Sequence, residues 1–148
     1  LLVLAVVGVA FANEVEVKNC ENHQGPNTVI VENCDSIPCK IPNGGIFGFS
    51  TNFNSGAAAN SLRASVVARF LGIDSGYRLP NDLTNGCNHL IGASCPINAN
   101  QELQYALDVP VRTPGGITGV RIELEFRLTN EQNQVVLCFK ADADVVRG

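Results

Sequence analysis

Apolar residues recur at every second position through most of the chain, the signature of strands that bury one face. In residues 120–128 the series Val120, Ile122, Leu124, Phe126 and Leu128 is interleaved with Arg121, Glu123, Glu125 and Arg127. Leu62, Ala64, Val66, Ala68 and Phe70 alternate with Arg63, Ser65, Val67 and Arg69. Leu103, Tyr105, Leu107 and Val109 alternate with Gln104, Ala106 and Asp108. Phe47, Phe49 and Phe53 share a face opposite Gly48, Ser50 and Asn52. Val135, Leu137, Phe139, Ala141, Ala143 and Val145 form a last apolar row. No stretch sustains the helical period, apart from a short turn near residues 57–61.

Turn-forming clusters separate these runs: Pro42-Asn43-Gly44-Gly45, Asn54-Ser55-Gly56, Asp74-Ser75-Gly76, Asn85-Gly86 and Pro114-Gly115-Gly116. Glycine supplies the positive φ of tight turns and proline fixes φ at their first corner. The polar run 129–133 joins two strong strands and predicts a hairpin. About seven short antiparallel strands, each with one apolar face, bury those faces against one another as a two-sheet sandwich. The expected inward residues include Val66, Leu124 and Phe126. Arg69, Glu123 and Glu125 are expected on a solvated outer face, with cross-strand ion pairs.

The composition narrows this picture. The chain has 148 residues, which suits one domain, and 45% hydrophobic residues, which is enough for a core. Ten Lys+Arg against fourteen Asp+Glu leave a net charge of −4, so no basic field points to a nucleic acid. Residues 1–12, LLVLAVVGVAFA, are apolar and uncharged and end in an A-x-A cleavage pattern. They read as the remnant of a signal peptide, with residues 13–148 as the domain. Twelve residues are too few to span a bilayer.

Six cysteines in so short a chain indicate a disulfide framework and an oxidising compartment. Six cysteines allow fifteen connectivities. Cys34 and Cys39 enclose a short Pro-containing loop, and Cys87 and Cys95 flank another short segment; Cys20 and Cys138 then remain. The spacing lacks the second C-x₂₋₄-C pair of a zinc site, so no metal is expected. There is no G-x-S-x-G, H-E-x-x-H or G-x-G-x-x-G motif, so no catalytic residue and no cofactor are assigned. His23 and His89 read as ordinary surface residues. Tyr105 lies on an apolar face, and its hydroxyl needs a partner if buried, either from the protein or from a ligand.

The succession of cysteines, with Cys34…Pro38-Cys39, Asn85-Gly86-Cys87, Cys95-Pro96-Ile97, the Tyr105 strand, Val109-Pro110-Val111 and Leu137-Cys138-Phe139, resembles the MD-2-related lipid-recognition family. The resemblance is to its Niemann-Pick type C2-like branch, which includes arthropod carriers and mite group 2 allergens, and it spans the whole of residues 13–148. It implies an immunoglobulin-like sandwich of two antiparallel sheets with an apolar cavity between them. It implies bridges Cys20–Cys138, Cys34–Cys39 and Cys87–Cys95, a bound apolar lipid (sterol or fatty acid) and no catalysis. Combined with the alternation, it assigns the cavity wall to Phe47, Phe49, Val66, Phe70, Leu79, Tyr105, Leu107, Leu124, Phe126, Leu137 and Phe139. Tyr105 matches a cavity tyrosine of the sterol branch, whereas Leu79 stands where that branch has an aromatic ring. The departure counts against a strict sterol preference and leaves apolar-ligand binding intact.

The expectation is a secreted, monomeric lipid carrier that hands its ligand to a membrane or a receptor. No N-x-S/T sequon is present, so extracellular fluid is favoured over the lysosomal lumen. A chemosensory carrier of apolar semiochemicals is a variant of this reading. Recognition of bacterial lipopolysaccharide would need cations for phosphates, for which Arg78 and Arg112 are available while lysine is scarce. A solid adhesion sandwich without a cavity is the third reading.

Overall fold

The computed structural model describes residues 12–23, 25–26 and 28–148. The segment read as a signal remnant lies outside the described residues, save Ala12, whose backbone opens the first strand. Among the described residues there are ten strands and no α-helix: β1 (Ala12–Glu16), β2 (Thr28–Glu32), β3 (Cys39–Pro42), β4 (Ile46–Asn54), β5 (Leu62–Phe70), β6 (Ile73–Asp74), β7 (Leu90–Ile91), β8 (Glu102–Pro110), β9 (Val120–Asn130) and β10 (Val135–Val146). They form two five-stranded sheets, β1-β2-β4-β8-β7 and β3-β10-β9-β5-β6. Pairing is antiparallel throughout except that β3 runs parallel to β10.

The period-two rows become the two inner faces. Phe47, Phe49 and Phe53 of β4 and Leu103, Tyr105, Leu107 and Val109 of β8 are buried from one sheet. Leu62, Ala64, Val66 and Ala68 of β5, Ile122, Leu124, Phe126 and Leu128 of β9, and Leu137, Phe139, Ala141, Ala143 and Val145 of β10 are buried from the other. One row is broken at its start. A bulge shifts the β9–β10 register between Val135 and Leu137, so Val136 takes a buried place and Val135 lies half out.

The hairpin foreseen at 129–133 is present and is closed by Asn130. This buried amide accepts from the backbone N–H of Gln132 and Gln134, and donates to the Ala58 carbonyl and the Gln134 side chain. All six cysteines pair, as Cys20–Cys138, Cys34–Cys39 and Cys87–Cys95. The first bridge ties the segment after β1 to the outer side of β10.

Two expectations are corrected. Phe70 follows the inward parity of β5 but ends the strand at the β5–β6 tip and is 41% exposed, beside exposed Leu71 and Ile73. The sheet has no further partner there to cover it. Glu125 points away from the core as its parity requires, yet it is only 5% exposed. Arg69 and Arg127 close over it, and the Cys138 sulfur lies 3.9 Å from its carboxylate.

Candidate functional site

The centre of the sandwich is aromatic. β4 carries Phe49 inward from one sheet, while β9 and β10 bring Phe126 and Phe139 side by side in the other, where they are direct cross-strand partners. Phe49 meets Phe126 edge-on at 4.9 Å and Phe139 at 5.0 Å between centroids. Tyr105 of β8 stacks at a tilt 5.4 Å from Phe126. Each such pair contributes about 0.5–1.5 kcal/mol beyond the area it buries. Phe47 extends the cluster, its ring 6.1 Å from that of Phe49. Leu107, Leu124 and Leu137 are buried in the same core.

Beside this cluster, a groove of about 820 Å³ runs along β5 beneath the segment that crosses from β6 to β7. That segment is held to the sheet by hydrogen bonds from the Ser75 N–H to the Ala68 carbonyl and from the Ala64 N–H to the Thr84 carbonyl. Leu62, Ala64 and Val66 of β5 and Leu79 of the crossing segment line the groove, and the same four side chains belong to the core. They form a partition shared by the groove wall and the core. Arg63, Arg78 and Glu131 give the groove a polar outer rim. Of the expected wall residues, Val66 and Leu79 therefore border the groove. Phe47 borders a smaller recess of about 230 Å³ near β3, and Phe70 lies at the exposed tip.

Two side-chain polar atoms are buried without a partner, one in the core and one on a half-buried turn at its margin. The Tyr105 hydroxyl and His89 Nε2 are both buried and neither has a hydrogen-bond partner among the described residues. Their rings meet edge to face with centroids 6.2 Å apart. His89 is thus not the surface residue expected of a polar loop. It ends a short 3-10 turn, Gly86–His89, where the Cys87 N–H donates to the Asn85 side chain. The Cys87–Cys95 bridge anchors the turn, and Leu90 next in sequence pairs with Tyr105 across β7 and β8. The sequence signal was present in that bridge two residues before His89, but the neighbouring strand could not be read from spacing. Burial pushes the Tyr105 phenol well above its usual range, so it stays protonated and able to donate.

The outer face of the second sheet carries ions rather than a site. Arg69 and Arg127 contact Glu125 at 2.8 and 2.6 Å, and Arg69 also reaches Glu123 at 3.3 Å. Burial would raise the Glu125 carboxyl, but the hydrogen bonds and charges of the two arginines hold it below its ordinary value. Cys20, Cys138 and Glu125 cluster within ligand distance of one another, but the two sulfurs are joined as a disulfide and hold no thiolate for a metal. His23 is half-buried, and burial together with Arg127 lowers its pKa.

Comparison with known proteins agrees with this architecture. NPC intracellular cholesterol transporter 2 of Bos taurus is 28% identical over 145 residues, covering 97% of this chain and 93% of that protein. Mite group 2 allergen Der f 2 of Dermatophagoides farinae is 30% identical over 117 residues, covering 77% and 73%. The crystal structure of a Niemann-Pick type C2 protein from Japanese carpenter ant superposes with a TM-score of 0.69 at 19% identity, over 87% of this chain and 98% of that one. The profile of the ML domain matches residues 14–145, nearly the whole of what the structure describes. The chain accordingly belongs to the ML domain family, as a Niemann-Pick C2-like member.

Proposed function

We propose that the protein is a non-catalytic carrier that takes an apolar lipid, a sterol or fatty acid, between its two sheets and works in an extracellular fluid. The observation that carries this reading is the partition of Leu62, Ala64, Val66 and Leu79. An open groove lies on one side of it and an aromatic interior on the other. A lipid that parts these four side chains exchanges water for apolar walls, which contributes about 25 cal/mol per Å² of its surface buried. Family membership supports the reading, since one relative is named a cholesterol transporter. Leu79 in the partition, in place of an aromatic ring, favours a tolerant pocket over one shaped for a single sterol. The buried residues Phe47, Phe49, Tyr105, Leu107, Leu124, Phe126, Leu137 and Phe139 would then meet the ligand, with Val66 and Leu79 at the threshold.

The test is a titration with the apolar fluorophore N-phenyl-1-naphthylamine, followed by displacement with cholesterol and with oleate. Val66→Trp should weaken probe binding about tenfold, equal to about 1.4 kcal/mol. Arg121→Ala, on the exposed outer face, should leave it unchanged. A wild-type protein that binds no probe, paired with a Val66→Trp variant whose only effect is the 1–3 kcal/mol penalty of an overpacked core, would mean a solid sandwich and no carrier.

A further inference from the structure

β5 meets the groove along its edge, and its backbone there is incompletely paired. The Ala64 N–H donates to the Thr84 carbonyl, and the Ala68 carbonyl accepts from the Ser75 N–H. Both residues thus turn their peptide groups away from β9 and toward the crossing segment. Peptide groups alternate along an antiparallel ladder, and the β5–β9 register runs unbroken from Leu62 to Phe70, so Val66 turns its N–H and C=O the same way. Among the described residues neither group has a hydrogen-bond partner. Val66 lines the groove yet is only 6% exposed, so its donor and acceptor are nearly shut off from water. Buried backbone groups without partners are rare in native proteins. Two guanidinium groups stand at the same groove. Among the described residues, neither Arg63 nor Arg78 forms an ion pair, whereas Arg69, Arg121 and Arg127 each do. The Glu131 carboxylate on the rim is taken by the N–H groups of Asn60 and Ser61.

We infer that the groove takes an N-acyl amino acid, with its amide laid along the free edge at Val66 and its carboxylate toward Arg63 and Arg78. The inference rests on the carrier reading and specifies its ligand class. Facing residues of an antiparallel pair exchange two hydrogen bonds, N–H to C=O in both directions. An acylated amino acid carries both partners on one residue. Its amide N–H donates to the Val66 carbonyl, and a carboxylate oxygen accepts from the Val66 N–H. That order puts the carboxylate on the Ala64 side, next to Arg63, where the unpaired guanidinium groups meet its charge. It leaves the acyl chain to part Val66 from Leu79 and enter the core. A longer peptide strand does not fit, because the bonds at Ala64 and Ala68 close the edge on either side of Val66. A plain fatty acid has no donor for the Val66 carbonyl, and a neutral alcohol brings no anion to the arginines.

The experiment measures displacement of N-phenyl-1-naphthylamine by N-dodecanoylglycine, by its N-methyl analogue N-dodecanoylsarcosine, by its methyl ester and by tetradecanoate. On the wild type the glycine conjugate should bind about tenfold more tightly than the sarcosine conjugate, which lacks the N–H and leaves the Val66 carbonyl unpaired. It should also bind about tenfold more tightly than tetradecanoate, a chain of similar length without the amide. Replacing both arginines, Arg63→Gln with Arg78→Gln, should weaken the glycine conjugate about tenfold relative to its uncharged methyl ester. Both side chains are exposed, and the ratio of two ligands on one protein cancels any loss of folded material. The inference is overturned if the sarcosine conjugate or tetradecanoate matches the glycine conjugate on the wild type. It is overturned as well if the ratio of conjugate to ester is the same with and without the two arginines. Failure of the wild type to bind the probe or any competitor would instead refute the carrier reading itself, and this inference with it.

Discussion

Glu125 is the most consequential polar residue outside the core, and its removal offers a quantitative test. In Glu125→Gln the side chain keeps its shape and loses its charge. Two charge-assisted contacts, at 2.8 Å to Arg69 and 2.6 Å to Arg127, become weaker neutral ones. Hydrogen bonds to charged groups contribute about 1.5–3 kcal/mol each. Three effects reduce that sum. The desolvation cost of the buried carboxylate disappears with the charge. The Arg69 and Arg127 side chains keep 28% and 39% of their exposure and can turn toward water. Arg69 also retains Glu123. The expected net loss is about 2 kcal/mol. In a domain of this size a loss of that order lowers Tm by roughly 5–10 °C. The control is Asp144→Asn, which breaks the Arg121 pair on the open face, where Arg121 is 60% exposed. An exposed pair contributes about 0–1 kcal/mol, so its melt should move by no more than about 3 °C. Thermal melts followed by circular dichroism, with disulfides intact, measure both. The pH dependence gives a second readout. Because the folded carboxyl is held below its ordinary value, its contribution is present above the unfolded glutamate range and lost as pH falls through the folded pKa. The gap between wild type and Glu125→Gln should therefore be full at pH 7 and close progressively below about pH 4.5. Equal melting temperatures at neutral pH, or a gap that persists undiminished in acid, would refute the argument that this carboxylate is a paired, buried charge.

Two further outcomes follow from the covalent and steric frame. Replacing Cys20 and Cys138 together by Ser should cost about 5 kcal/mol in the loop-entropy model for a separation of 118, against about 2 for Cys34 and Cys39 at a separation of 5, and paired denaturant melts should rank them so. Gly86→Ala should destabilise by about 1–3 kcal/mol, because a Cβ there would come within 2.7 Å of Leu128 Cδ2 and 2.9 Å of Leu62 Cβ; a thermal melt equal to the wild type would show that this turn can shift away from the core.

What could be read from the chain, and what could not, follows one physical divide. β5, β8 and β9 show themselves because each turns its apolar row inward, and the period-two row is buried from Ile122 to Leu128, with Val120 half-buried against it. Family spacing and loop lengths together point to the cysteine pairs found. Features that depend on a partner distant in sequence were hidden. β3 has only four residues and pairs in parallel with a strand a hundred positions later, which no local pattern announces. Parity correctly turns Glu125 away from the core, but the disulfide and the two arginines that cover it come from elsewhere. Parity also turns Phe70 inward, but the strand ends before there is anything to cover it. His89 looked like a loop residue because a turn of Gly, Cys and Asn surrounds it, and the bridge to Cys95 and the pairing of Leu90 with Tyr105 bring its ring against Tyr105 and its Nε2 out of solvent. The aromatic cluster was legible residue by residue; its closure into a group that leaves the Tyr105 hydroxyl buried without a partner among the described residues was not.

The place of β10 has a consequence for how the molecule is made. This strand comes last among the described ones, yet it sits between β3 and β9 in its sheet and carries one end of the disulfide with the longest separation. A nascent chain emerging from the ribosome can form the β4–β8 pairing and the β5–β9 pairing, but it has no place to dock β3 and no thiol for Cys20 until the final strand has appeared. Completion of the second sheet thus waits on β10, however early the other strands emerge. A product that lacks β10 would leave one edge of β9 unpaired, uncover Phe126 where Phe139 packs on it, and leave Cys20 as an unpaired thiol, so quality control has both an apolar surface and a free cysteine by which to detect it.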